Sequence, residues 1–170
     1  AARADYAQLL EALYAEGYFG PEISITVDGR EAASIPAFED PARISTIRVL
    51  VRPGQRFTFA HAEARPLAPG PDLPDTFGSG QIARTGVLID TAAAAVEGWQ
   101  NQGFPKADIA GQDLAVRHAQ GVLDAEIFVD PGPQLRFGAL GNPGSENIRQ
   151  GAIARIIDYP DGALVTPDAQ

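Results

Sequence analysis

One pattern occurs twice along this chain. A helix-like stretch ends in a large apolar residue, a glycine follows four positions later with an aromatic directly after it, and two strand-like stretches then lead to Pro-Gly-x-x-apolar-x-Phe. The first copy is Leu13, Gly17, Tyr18, Pro53, Gly54, Phe57 and Phe59; the second is Trp99, Gly103, Phe104, Pro131, Gly132, Leu135 and Phe137. Recurrence at this scale predicts small units in series, not one catalytic core.

The periodicity inside the copies agrees. Within 5–16, Tyr6, Leu9, Leu10, Leu13 and Tyr14 recur at spacings of three and one, which predicts a helix with one apolar face. Gly17 suits the left-handed position that ends such a helix. Ile23, Ile25 and Val27 alternate with Ser24 and Thr26 up to Asp28-Gly29, the pattern of a half-buried strand entering a turn. A second strand is expected over 43–52, with Ile47, Val49 and Val51 on its buried side. In the second copy a helix is expected over 87–102, a weaker strand over 107–118 and a strong one over 122–130. Superposing Pro53 on Pro131 lays Ile47, Val49 and Val51 on Ala125, Ile127 and Val129, so both strands are expected to bury the same face. Leu50 and Phe128 coincide on the opposite face.

The copies differ in length where tolerance is expected. The first spans 37 positions from Gly17 to Gly54, the second 29 from Gly103 to Gly132, and the extra residues fall between the strands, at 29–41. Lengthening such a surface connection costs only about 1 kcal/mol of closure entropy. The stretch 66–80 holds four Pro and three Gly and reads as an irregular part of the second unit, because Phe57-Thr58-Phe59 before it looks like that unit's first strand. A third start follows Phe137: Gly141-Asn142, then a helix carrying Ile148, Ile153, Ile156 and Ile157, ending at Asp161-Gly162.

Composition narrows the partners. Thirteen basic and 22 acidic side chains give a formal net charge of −9, which repels phosphate backbones and anionic lipid surfaces. Nucleic acid is therefore not an expected partner. The chain has no Cys, so it has neither disulfides nor a thiolate nucleophile, and this is compatible with an oxidising compartment. No apolar run approaches the length of a membrane helix. The absence of any Met is expected of a processed chain or a piece of a longer one.

Candidate chemistry is sparse. His61 and His118 stand in different copies and neither adjoins a Ser in a nucleophile setting, so both read as surface or strand-end residues. Gly78-Ser79-Gly80 imitates a dinucleotide loop but follows Pro71, Asp72 and Pro74 instead of a buried strand. Asp158, Asp161 and Gly162 resemble part of a calcium loop without its later ligands, and a turn is the better reading. Asp124, Glu126 and Asp130 share a strand face that reads as solvated. Trp99 reads as a core anchor, as does the Tyr18-Phe19 pair. No catalytic residue, metal site or cofactor is expected.

The order of strand, irregular or helical segment, helix ending in Gly-aromatic, two strands, and Pro-Gly-x-x-apolar-x-Phe resembles the POTRA domain. The wording of the first copy, Leu13-Tyr14-Ala15-Glu16-Gly17-Tyr18-Phe19-Gly20 through Asp28-Gly29-Arg30-Glu31-Ala32-Ala33 to Val51-Arg52-Pro53-Gly54, is most similar to the TamA type within the BamA/TamA superfamily. BamA-like and two-partner-secretion relatives stay open. The resemblance implies an α+β chain of tandem β-α-α-β-β modules, each a three-stranded sheet packed on two helices. Their limits are expected at 1–56 (the C-terminal part of a first), 57–134 (a second) and 135–170 (the N-terminal part of a third).

It further implies a non-enzymatic scaffold at the periplasmic face of the outer membrane. The partners implied are client polypeptides, a C-terminal β-barrel of the same parent chain and an inner-membrane-anchored TamB-like protein. Clients would be held by strand addition, with Glu22, Ser24 and Thr26 marking the expected edge strand. Leu50 and Phe128 are expected at intermodule contacts, and if those dominate, the chain acts as a rigid spacer. A small periplasmic hydrolase or carbohydrate-binding domain rests only on the carboxylate strand and Trp99.

Overall fold

The protein was analysed as a computed structural model, which describes residues 2–35, 43–139 and 161–167. The elements run α1 (Ala2–Ala15), β1 (Glu22–Val27), β2 (Arg30–Glu31), a 3-10 turn (Ala32–Ser34), β3 (Ile47–Arg52), β4 (Thr58–Arg65), α2 (Thr85–Gln100), β5 (Asp108–Arg117), a second 3-10 turn (His118–Gln120) and β6 (Val122–Asp130). They form two three-stranded sheets, ordered β2-β1-β3 and β4-β6-β5. The mixed α+β class expected from the sequence is the one observed, and both helices and both sheets fall at the repeated pattern. No regular element occupies 66–80. The helix expected around Ile148 to Ile157 lies outside the described residues.

In the first sheet β1 pairs antiparallel with β3 from Glu22↔Arg52 to Val27↔Ile47, and with β2 at Thr26↔Glu31 and Val27↔Arg30. Asp28 takes φ +49 and Gly29 φ +85, so this turn needs the left-handed region that Asp tolerates and Gly favours. The expected strand over 43–52 begins only at Ile47, and the reason is local. The Ser45 and Thr46 N–H groups donate to the Asp28 carboxylate, Thr46 at 2.7 Å, and are thereby withdrawn from a strand ladder.

The chain divides into two compact units, one of 1–63, 74–89 and 113–126, the other of 64–73, 90–112 and 127–170. The first is built on Phe57, Phe59, Ala83, Val87, Leu88, Leu123 and Ala125, with Phe19, Ala62 and Phe77 packed against them. In the second, Ala64, Ala92, Ala95, Ile127 and Val129 are buried. There the indole N–H of Trp99 donates to the Pro66 carbonyl at 3.0 Å, and its ring meets Phe104 edge-on. Trp99 is thus a packed anchor whose polar atom is satisfied.

The expectation that β3 and β6 bury the same face fails for β3. Along β6, Leu123, Ala125, Ile127 and Val129 are 0–4% exposed, whereas Ile47 is 60% and Val49 49% exposed. Alternation decides which side chains share a face; burial needs a second layer on that face. Over β3 the described chain leaves an open groove of about 340 Å³, lined by Gln8 and Leu9 of α1 with Ile25, Ile47 and Val49.

Candidate functional site

Both helices end on the repeated glycine in the same way. Gly17 and Gly103 take φ +89 and +85. The Tyr18 N–H donates to Leu13 at 2.9 Å and the Phe104 N–H to Trp99 at 3.2 Å, while each glycine N–H reaches back three residues, the pattern of a left-handed C-cap. Each glycine carbonyl then accepts the N–H of the residue that opens the next repeat, Phe57 at 2.9 Å and Leu135 at 2.8 Å.

Beyond that point the repeats continue in step. Phe59 donates to Gln81 and accepts from Gly80, and Ala83 donates to Phe57; in the second unit Phe137 donates to Ala163 and accepts from Gly162, and Val165 donates to Leu135. These bonds place one apolar side chain directly on each glycine. A methyl group added to Gly17 would lie 2.8 Å from Ile82 Cγ2, and one added to Gly103 would lie 2.7 Å from Leu164 Cδ2. Gly17 and Gly103 are sockets as well as caps.

Among the described residues, the same strands define the two edges of the sheet. The outer side of β4 is taken up at its start by 80–83, through the bonds to Phe57 and Phe59 and the bridge Thr58↔Ile82. At the other end of the order stands β5, ten residues long, with Leu114 and Val116 exposed. Its Ile109 N–H donates to the Asp108 carboxylate at 2.8 Å. Beside it lies a shallow depression of about 300 Å³ lined by Asp113, Leu114, Ala115, Asp124 and Glu126. Of these Asp124 is paired with Arg117 at 2.8 Å, and Glu126 lies 3.9 Å from the His61 ring.

No family model matches this chain, and no curated protein does. Among solved structures it is similar to POTRA domains 3–5 of Haemophilus influenzae BamA, with 12% identity and a TM-score of 0.55, over 98% of this chain and 64% of that one. The fold is of the POTRA type. A second similarity, to Haemophilus ducreyi BamA lacking POTRA domains 1–3, has 15% identity and a TM-score of 0.42 over 65% of this chain and 22% of that one. The chain thus spans a little under two thirds of the H. influenzae structure.

Within this POTRA-type frame the residues singled out by sequence are spread apart. The strand of Glu22, Ser24 and Thr26 stands between β2 and β3 in the sheet order, although β2 reaches only Thr26 and Val27. Glu22 pairs with Arg52 at 3.3 Å, and the Ser24 hydroxyl donates to Glu31 at 2.9 Å. The N–H of Asp28 points to the β3 side, donating to Thr46, and that of Ile25 points away, donating to the Tyr6 hydroxyl at 3.0 Å. Alternation then turns the Ser24 and Thr26 N–H groups toward β3.

The Tyr6 hydroxyl in turn donates to Glu31, tying α1 to the β1–β2 hairpin. This bond and the one from Ser24 hold the Glu31 carboxyl below its ordinary range, and the carboxylate raises the Tyr6 hydroxyl above its own.

Leu50 is half exposed opposite Ser24, and Phe128 lies under the Arg65 guanidinium, 5.2 Å from the ring centre. The close contacts at Gly17 and Gly103 are made by other residues, Ile82, Ala83 and Leu164. Sequence reading missed these, although a signal existed. Gly80-Gln81-Ile82-Ala83 and Gly162-Ala163-Leu164-Val165 are one more repeated phrase, hidden because the first imitates a dinucleotide loop and the second reads as a helix-ending turn. His61 and His118 lie apart, the latter edge-on against Phe57. Among the described residues no group of three potential metal ligands is found; Asp158 lies outside them.

Proposed function

We propose that this chain is part of the periplasmic scaffold of an outer-membrane β-barrel assembly or translocation protein of the TamA kind. Its POTRA-type modules at 1–56, 57–134 and 135–170 would hold extended client polypeptides by strand addition. The observation that carries this reading is the open edge at β5 on a fold that matches tandem POTRA domains over nearly the whole chain. An edge strand offers unpaired N–H and C=O groups to any extended segment, so it binds without demanding one sequence. Ten residues of β5 with Leu114 and Val116 exposed, at the end of the sheet order, meet that requirement better than β1, which stands between β2 and β3. The barrel of the same parent chain and a TamB-like partner anchored in the inner membrane complete the proposal. The chain itself acts by binding and catalyses nothing.

Two measurements test it. The parent gene product, fractionated and run on SDS gels with and without boiling, is expected in the outer membrane with a heat-shifted band. A soluble parent without a shift removes the barrel and with it the assembly role. A photo-crosslinking residue at Leu114 or Val116 is expected to capture an unfolded β-barrel precursor, while the same residue at exposed Ile89 on α2 is not. Equal capture at all three positions defeats strand addition. A BamA-like parent would give the same gel result, and co-purification with the TamB-like partner separates the two.

A further inference from the structure

The connections between repeats, 53–57 and 131–135, look like linkers by composition, since each opens on Pro-Gly. A hinge needs a few residues free to absorb changes in φ and ψ. Neither connection has them. In the first, a methyl on Gly54 would sit 3.3 Å from the Gly20 carbonyl oxygen, so the two backbones are in close approach. The Gln55 amide donates to the His118 carbonyl at 3.1 Å. The Arg56 guanidinium reaches Glu16 at 3.4 Å and lies over the Tyr18 ring, 5.2 Å from its centre. Phe57 gives its N–H to Gly17 and buries its ring between Phe19 and His118.

The second connection, inside the other compact unit, repeats the scheme. The Gly132 N–H donates to Asp130 at 3.0 Å, the Gln134 amide donates to the Gln102 carbonyl at 3.0 Å, and the Leu135 N–H donates to Gly103. In both, the residue that follows the connection brings back an apolar side chain, Ile82 or Leu164, to the glycine where the preceding helix ended.

We infer that Gly17 with Ile82, and Gly103 with Leu164, are locked joints, each of which fixes the direction in which the next repeat leaves the helix end. The helix-ending glycine is the receiving part and the Gly-x-Ile/Leu phrase, at 80–82 and 162–164, the inserting part. A side chain on the glycine closes the socket, and a smaller residue at 82 or 164 empties it. The joint's rigidity does not depend on which polypeptide the scaffold binds, nor on the periplasmic reading.

Hydrogen exchange on the unmodified chain tests this first. The Phe57 and Leu135 amides are expected to be as protected as those of β6; exchange at the rate of an open loop overturns the inference. Because the chain has no Cys, spin labels at Glu11→Cys and His61→Cys report the first joint, and labels at Glu97→Cys and Asp161→Cys the second. Each pair is expected to give one narrow distance distribution. Ile82→Ala is expected to abolish the narrow peak of the first pair only, and Leu164→Ala that of the second only, with circular dichroism retained. Narrow peaks that survive both substitutions overturn the inference, and where a variant fails to fold the exchange measurement decides alone.

Discussion

β3 and β6 carry the same alternation and leave through the same Pro-Gly turn, yet one is a core strand and the other is half bare. Leu123, Ala125, Ile127 and Val129 are sealed, while Ile47 and Val49 face an open groove. The difference lies in what surrounds each strand. β6 is central in its sheet and its buried face meets Val87 and Leu88 of α2, whereas β3 is an edge strand that, among the described residues, shares an open groove with Gln8 and Leu9 of α1. The first sheet is held by polar contacts in compensation: Tyr6 and Ser24 on Glu31, Ser45 and Thr46 on Asp28, Arg52 on Glu22. Among the described residues the second copy thus shows a sealed apolar strand, and the first shows these polar ties beside a buried Ile25.

This contrast can be broken at several points. The largest loss is expected from Phe57→Ala, which empties a buried site shared with Phe19 and His118; urea titration should show about 3–5 kcal/mol. Its counterpart Leu135→Ala, at a residue 37% exposed, should lose clearly less, and equal losses would mean the two joints are packed alike. Ile127→Ala is expected to cost about 2–5 kcal/mol in the same titration. Gly17→Ala should lower the stability by roughly 1–2 kcal/mol through its positive φ, with a further loss from the contact to Ile82. Restoration of part of that further loss by Ile82→Ala in the same chain would show that the socket, and not the cap alone, had been closed.

The smaller effects separate the polar sheet from the apolar one. Glu31 has its carboxyl lowered by the bond from Tyr6 and then by that from Ser24. Its contribution is therefore fully present above the ordinary glutamate range and is lost as pH falls through the lowered folded value. Tyr6→Phe is expected to flatten the acid side of the stability profile below about pH 4.5, measured by thermal melts at stepped pH. An unchanged acid limb would remove the carboxylate from the account. Val49→Ala, at a half-exposed position, should change stability by less than about 1 kcal/mol; a loss as large as that of Ile127→Ala would show the groove over β3 to be closed in solution.

The parts of the fold read correctly from the sequence are those that local chemistry controls. Gly17 and Gly103 mark helix ends because only glycine takes a positive φ without strain, and β6 is legible because Leu123, Ala125, Ile127 and Val129 alternate without a break. The sequence predicts a start of β3 four residues early because the Asp28 carboxylate competes for the Ser45 and Thr46 N–H groups, a contact across 17 and 18 positions that no window detects. The outer side of β4 is taken up by 80–83 pairing back onto it, again at long range.

The sequence by itself determined the class, the repeat, the turns and the face on which each side chain lies, since these follow from backbone conformation and period. Only the tertiary structure decided which of two equivalent strands is buried, which strands stand at the sheet edges and what fills the space at Gly17 and Gly103. Those properties depend on the neighbour, and Ile82 and Leu164 reach their glycines from about 60 positions further along the chain.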